Sequence, residues 1–295
     1  MSHRPSFLLF FSLFLSLAAC GSDPAVLAPV DAGAADAGAA VDRLAVIDVG
    51  RGTDVPAVLD VAHDAPALVD AATPPRDGPL PGLGAVSGTC GTLRGMLRNP
   101  APSLVENALG FMAGERYDRT LLSVGGRRMY DTPNAGGSST ESEVFSYELL
   151  YRCEDAALVA TETEVMYQPA DDAGANSITD LVVSIGGERV GVSVTRAYRP
   201  MPMVFTEANA LSLLRDKLAG VNRSSMRVLP GQRWVKQILH VFAVDTAAAQ
   251  AVARAWATLD AGTRADTIVL VTVTRGGGFI YCNPDPALGS ECPSL

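Results

Sequence analysis

The chain predicts an α/β fold: a mixed sheet in αβββαβαβ order with helices on both faces. Three observations carry this prediction. Residues 177–197, SITDLVVSIGGERVGVSVTRA, are two apolar runs joined at Gly186-Gly187, the pattern of an antiparallel hairpin. Two capped helical patterns follow the hairpin. Two apolar runs rich in β-branched residues, 234–244 and 267–274, alternate with those helices, as strands joined by crossovers do.

Each element has its own signal. Ser103–Glu115 (SLVENALGFMAGE) opens with Ser103-x-x-Glu106, a capping box that predicts a short helix. A Gly-rich loop near 134–139 precedes a second box, Thr140-x-x-Glu143, which opens the helix ESEVFSYELLYRC. LVATETEVMY (158–167) alternates apolar and polar residues and predicts a strand. After the turn-rich PADDAGANS comes the hairpin. Thr206 caps EANALSLLRDKLAGV, where Leu211, Leu214, Leu218 and Val221 form one apolar stripe. WVKQILHVFAV (234–244) has few charges and predicts a central strand. Thr246–Asp260 is an Ala-rich helix closed by Gly262, TIVLVTVT (267–274) is a strand, and FIYC is a candidate for another.

The N-terminal third has a different composition. Phe7–Ala19 is an apolar run behind the lone charge Arg4, shorter than the roughly 20 residues that span a bilayer but suited to a secretory signal. Residues 21–86 hold 10 Asp against 3 Arg, with no Lys and no aromatic residue. Such a segment has little large apolar surface to bury. It is expected to act as a flexible tether reaching on the order of 45 Å. Residues 87–295 are long enough for one domain with its own core. The chain carries a net charge of −9, and the domain shares the acidic sign, which argues against strong nucleic-acid binding.

Apart from Cys20 there are four cysteines: Cys90, Cys153, Cys282 and Cys292. An even number in an exported domain predicts disulfides, with three possible connectivities. The short spacing favours Cys282–Cys292, leaving Cys90–Cys153 to staple the start of the domain to its first core helix.

The tetrad Leu17-Ala18-Ala19-Cys20 resembles the lipobox of bacterial lipoproteins. That resemblance implies a signal peptide over 1–20, acylation of Cys20, and attachment to the membrane of the cell envelope through the lipid. Gly21 after the Cys implies the outer membrane. An envelope partner of unknown identity is expected. Several acyl chains would make such an anchor stable where one is marginal.

The element order over about residues 140–275, together with the hairpin, resembles the PD-(D/E)xK, restriction-endonuclease-like fold. RVGVSVTRA and KQILHV also resemble stretches of a set of proteins with no established activity. A two-residue type I′ turn at Gly186-Gly187 would set Leu181 against Val192 and Val183 against Val190. Asp180 would then stand opposite Ser193. In the nuclease family the Asp at this place faces a Glu, with a Lys two residues on; here Ser193 and Thr195 hold those positions. A divalent ion needs carboxylates to bind it, and neither hydroxyl can replace them.

Two functions follow from these readings. One is a non-catalytic binding or structural module. The other is a divergent metal-dependent nuclease or phosphodiesterase, using Mg²⁺ or Mn²⁺ on an all-carboxylate site. That site would draw on Glu143, Glu164 and Asp180, with Asp180 and Glu164 as the metal ligands and Lys217 as a relocated lysine. Each residue also has a plainer role: Glu143 completes a capping box, Glu162 and Glu164 face solvent, Asp180 begins a strand, and Lys217 is solvated. His240 shares a strand face with Ile238 and Phe242, which favours a buried imidazole. No GxSxG elbow supports a triad of Ser193, His240 and Asp180.

Overall fold

The computed structural model describes residues 82–282, except 114, 116, 136–138 and 170–176. The expected signal peptide with Cys20, most of the tether, and Cys292 lie outside the described residues. Among the described residues no helix is long and apolar enough to cross a membrane.

The strands are β1 (Ala85–Gly88), β2 (Ser103–Gly110), β3 (Ala157–Thr161), β4 (Leu181–Ile185), β5 (Glu188–Ala197), β6 (Lys236–Ala243) and β7 (Ile268–Arg275). The helices are α1 (Val124–Asp131), α2 (Thr140–Glu154), α3 (Glu207–Arg227), α4 (Thr246–Thr258) and α5 (Ala261–Arg264). Among the described residues these seven strands join one sheet in the order β1-β2-β7-β6-β5-β4-β3. The central pairs β2/β7, β7/β6 and β6/β5 are parallel, and the outer pairs are antiparallel. From α2 to β7 the order αβββαβαβ holds, with the short α5 added before β7. The fold begins ahead of residue 87, since Leu83 and Val86 are already buried.

Each face of the sheet buries its own helices. Leu181, Val183, Val190, Val192, Ile238, Phe242, Ile268 and Leu270 point toward α2, packing with Val144, Phe145 and Leu149. Leu239, Val241, Val269 and Val271 point the other way, against Leu214 and Leu218 of α3 and Val252 of α4. Successive strand residues alternate between the two layers, as the pleat requires. Because both faces are covered, β6 and β7 read as near-continuous apolar runs.

Several expectations are corrected. Ser103–Gly110 is a strand, not a helix. Val105, Asn107 and Leu109 are buried at a period of two, and the segment pairs in parallel with β7 along its length. Ser103-x-x-Glu106 is a legitimate helix start, but pairing with the most β-prone strand of the chain overrides that weak local preference. The strand expected over 158–167 stops at Thr161, where Glu162–Glu164 turn into a 3₁₀ helix. Gly262 does not close α4. The helix ends at Thr258, with Leu259 as its C-cap, and Gly262 lies inside α5. Gly278–Ile280 is a 3₁₀ turn rather than a strand.

Helix α2 lacks a clean stripe because it is covered on every side. Glu148 accepts hydrogen bonds from Ser123 N–H (2.9 Å) and Ser123 Oγ–H (2.7 Å). Glu154 accepts from the N–H groups of Thr92 and Leu93, both at 3.1 Å. Arg152 donates to the carbonyls of Leu83 (2.9 Å) and Gly84 (2.8 Å). Glu141 receives the hydroxyls of Tyr117 and Tyr130. Burying these charges is tolerated because each is hydrogen-bonded. Their partners strap the N-terminal segment and α1 onto the helix. The Cys90–Cys153 disulfide makes the same connection covalent, with Cα atoms 4.8 Å apart. Cys282 is also disulfide-bonded.

His240 is fully buried at the centre of the sheet. Its Nδ1 lies 2.8 Å from Ser146 Oγ and its Nε2 2.7 Å from Thr272 Oγ1, whose hydroxyl donates to Asn107 Oδ1. Since the Thr272 proton is committed to Asn107, the threonine oxygen accepts from Nε2–H, and Ser146 donates to Nδ1. Burial pushes the imidazole pKa down to about 3, so it is neutral and structural.

Candidate functional site

The hairpin places the candidate site. Gly186 and Gly187 take φ values of 60° and 86°, the left-handed pair that a type I′ turn demands and that glycine adopts without strain. The register is the expected one: Leu181 pairs with Val192, Val182 with Gly191 and Val183 with Val190. Gly191 has a packing reason of its own, since a Cβ there would meet the Trp234 ring at 2.8 Å.

The ladder ends beyond Leu181, and Asp180 finishes it with its side chain. Its backbone N–H donates to Val192 O at 3.1 Å, and its Oδ2 accepts from Val194 N–H at 2.5 Å. Thr179 Oγ1 also donates to Val192 O, at 2.9 Å. The Asp180 carboxylate thus replaces a backbone acceptor at the open end of the ribbon. Ser193 and Thr195 are buried on β5.

Asp180 shares a small cleft with Glu143 of α2 and Glu162, closed by Met129, Thr132, Pro133, Asn134 and Thr161. Each carboxylate in it has a local donor. Glu143 receives the Ser139 hydroxyl at the start of α2, and Glu162 Oε1 accepts from Ala135 N–H at 2.5 Å. Burial, reinforced by the Glu143 charge, pushes the Asp180 pKa up to about 7 against the pull of Val194 N–H and Lys217. Glu143 is raised too, first by burial and then by Glu162; the Ser139 hydroxyl, Arg196 and Lys217 oppose the rise. These neighbouring acids therefore favour sharing a proton over holding full charge together.

Glu164 is not part of this cleft. Its Oε2 lies 2.7 Å from Arg128 Nη2 and accepts from Thr161 N–H at 2.9 Å. The Arg128 hydrogen bond holds its pKa below the ordinary range. It borders a separate hollow with Val159, Val165, Arg189 and Gln232. The 3₁₀ turn at 162–164 makes this exchange: with strand geometry broken, Glu162 turns in and Glu164 turns out. Lys217 is exposed on α3, and its charge reaches both Asp180 and Glu143.

The donor set does not fit a divalent metal. Among the described residues no group of three or more His, Cys, Asp or Glu side chains is arranged to hold an ion. A Mg²⁺ or Mn²⁺ site would require ionised carboxylates, whereas burial raises the pKa of Asp180 and Glu143, and one oxygen of each acid in the cleft is held by a local donor. Sequence reasoning missed the inward turn of Glu162, which depends on where β3 ends. It also missed Lys236, which is buried and donates to the carbonyls of Asn99 and Ala101.

No family model matches the chain. The chain is similar to the AAC-rich mRNA clone AAC4 protein of Dictyostelium discoideum, 39% identical over 168 residues; the match covers 55% of this chain but only 24% of that protein. Among solved structures it is similar to SfsA of Pyrococcus furiosus, determined in complex with Ca²⁺. That match has a TM-score of 0.23 and 13% identity, and covers 49% of this chain and 69% of the other.

Proposed function

We propose that this chain is a bacterial envelope lipoprotein, acylated at Cys20 and tethered through residues 21–86. Its domain is a nuclease-like fold that serves as a binding or structural module rather than a catalyst. One observation carries the non-catalytic part: the Asp180 carboxylate is bound to Val194 N–H at the ribbon end, with Ser193 and Thr195 where a metal-binding Glu and a Lys would stand. The acid at the open end of the hairpin has a structural task. Fold alone does not supply activity.

Calorimetric titration of the full chain with Mg²⁺ and with Mn²⁺ tests this reading. Titration heat no different from buffer, with an Asp180→Asn variant that behaves identically toward both ions, is the expected result. Saturable binding lost in Asp180→Asn would overturn it in favour of the metal-dependent phosphodiesterase or nuclease. The lipid part is tested separately: the mature chain should carry acyl mass at Cys20 and lose it in Cys20→Ala.

A further inference from the structure

The loop between β5 and α3 exposes a run of large apolar side chains. From Pro200 to Phe205 the sequence is PMPMVF, six residues with no charged or polar side chain. Met201 is 85% exposed, Val204 74% and Met203 49%. Contiguous apolar residues at this exposure are uncommon on a protein bathed only in water.

The backbone of the loop is as short of polar demand as its side chains. Pro200 and Pro202 have no N–H, and Met203 N–H is bonded to Pro200 O at 3.0 Å. Three of the four positions from Pro200 to Met203 thus present no free donor. This matters at a lipid interface, where unpaired backbone groups are costly, and little in water. Both ends of the loop are fixed. Tyr198 packs into the core layer facing α2, Phe205 into the opposite layer, and Thr206 caps α3. Arg199 lies exposed beside the apolar tip. A basic residue beside an apolar tip can hold its charged head at headgroup depth.

We infer that the Met201–Val204 loop is a second membrane contact, dipping into the headgroup and acyl boundary so that the domain rests on the bilayer. This rests on the lipoprotein reading, which supplies the surface. The occupant is lipid rather than protein because the loop combines exposed apolar side chains with suppressed backbone donors. A protein partner could pair with such donors.

The test uses the full mature chain reconstituted into phosphatidylethanolamine–phosphatidylglycerol vesicles carrying brominated acyl chains. Tryptophan is introduced as Val204→Trp or, independently, Met201→Trp. The control is Val235→Trp, just ahead of β6. In the parallel register Ala197 lies beside Ala243 and Val190 beside Lys236, so the control sits at the opposite end of the strands. Severalfold stronger quenching of the loop tryptophans than of the control is expected, over the background of Trp234 and Trp256. Quenching no stronger than that of the control in both loop variants would overturn the inference, whether the loop is bare or covered by a protein. Vesicle flotation of the unmodified chain separates the two readings. Flotation without loop quenching leaves the anchor standing and removes the loop contact. Failure to float removes the anchor, and quenching on mixing with vesicles then still decides the loop.

Discussion

Replacing Asp180 by Asn changes one proton and little shape, so its consequence can be worked through. Asp180 is held at the hairpin end by Val194 N–H, faces Glu143 and Glu162 across the cleft, and feels Lys217 from α3. Its ordinary pKa of 3.8 rises to about 7 in the fold. A carboxyl with a raised folded pKa binds more protons folded than unfolded between those values. Its stabilising contribution is therefore complete below 3.8 and is lost as pH rises through about 7. Linkage puts the loss between about pH 5 and about pH 8 near 2.5 kcal/mol, part of it shared with Glu143. His240 acts in the opposite sense, because the unfolded imidazole takes up a proton below 6.5 that the folded one refuses. The informative quantity is therefore the difference between wild type and Asp180→Asn, in which the histidine cancels.

Urea unfolding of both proteins at the two pH values supplies the assay. On going from about pH 8 to about pH 5, wild type should gain about 1–2.5 kcal/mol more stability than Asp180→Asn. The Asn carbonyl can still accept from Val194 N–H, so the variant should fold. Parallel pH profiles for the two proteins would refute the argument that this carboxyl is forced toward its neutral form.

Three further outcomes are expected. The Cys90–Cys153 bond closes a loop of 63 residues, so the double variant Cys90→Ala/Cys153→Ala should lose about 4 kcal/mol in the same unfolding experiment. A loss under about 1 kcal/mol would mean that the unfolded chain stays compact without the bond. His240→Leu should cost about 2–4 kcal/mol, because Ser146 and Thr272 lose a buried partner. In the wild type, the His240 resonances, assigned by their loss in His240→Leu, should stay fixed from about pH 8 to about pH 5; a midpoint near 6.5 for His240 would contradict the neutral tautomer.

Local chemistry made much of the fold legible. Two consecutive glycines select a type I′ turn, and a two-residue turn leaves one register, so the facing of Leu181 and Val192 follows from the sequence. Thr206 with Asn209, and the β-branched run of β7, are equally local. The capping signal at Ser103 misled because helix preference is worth tenths of a kcal/mol per residue, less than a full ladder against β7 provides. Nothing local announced that ladder. The uniform burial of α2 was equally hidden: its charges look like a solvent face until Leu83, Thr92 and Ser123 arrive from distant parts of the chain.

The candidate site divides along the same line. Sequence alone determined that Leu181 pairs with Val192 and that residues 193 and 195 are Ser and Thr, since register and residue identity are both local. Only the tertiary structure decided which glutamate joins Asp180. That choice depends on β3 breaking at Thr161, which turns Glu162 inward and leaves Glu164 to Arg128. It also raised the pKa of Asp180 and Glu143, because the free energy of a carboxyl taken out of water is set by lost hydration and by charges from separate elements. Neither quantity exists in the chain until those elements meet.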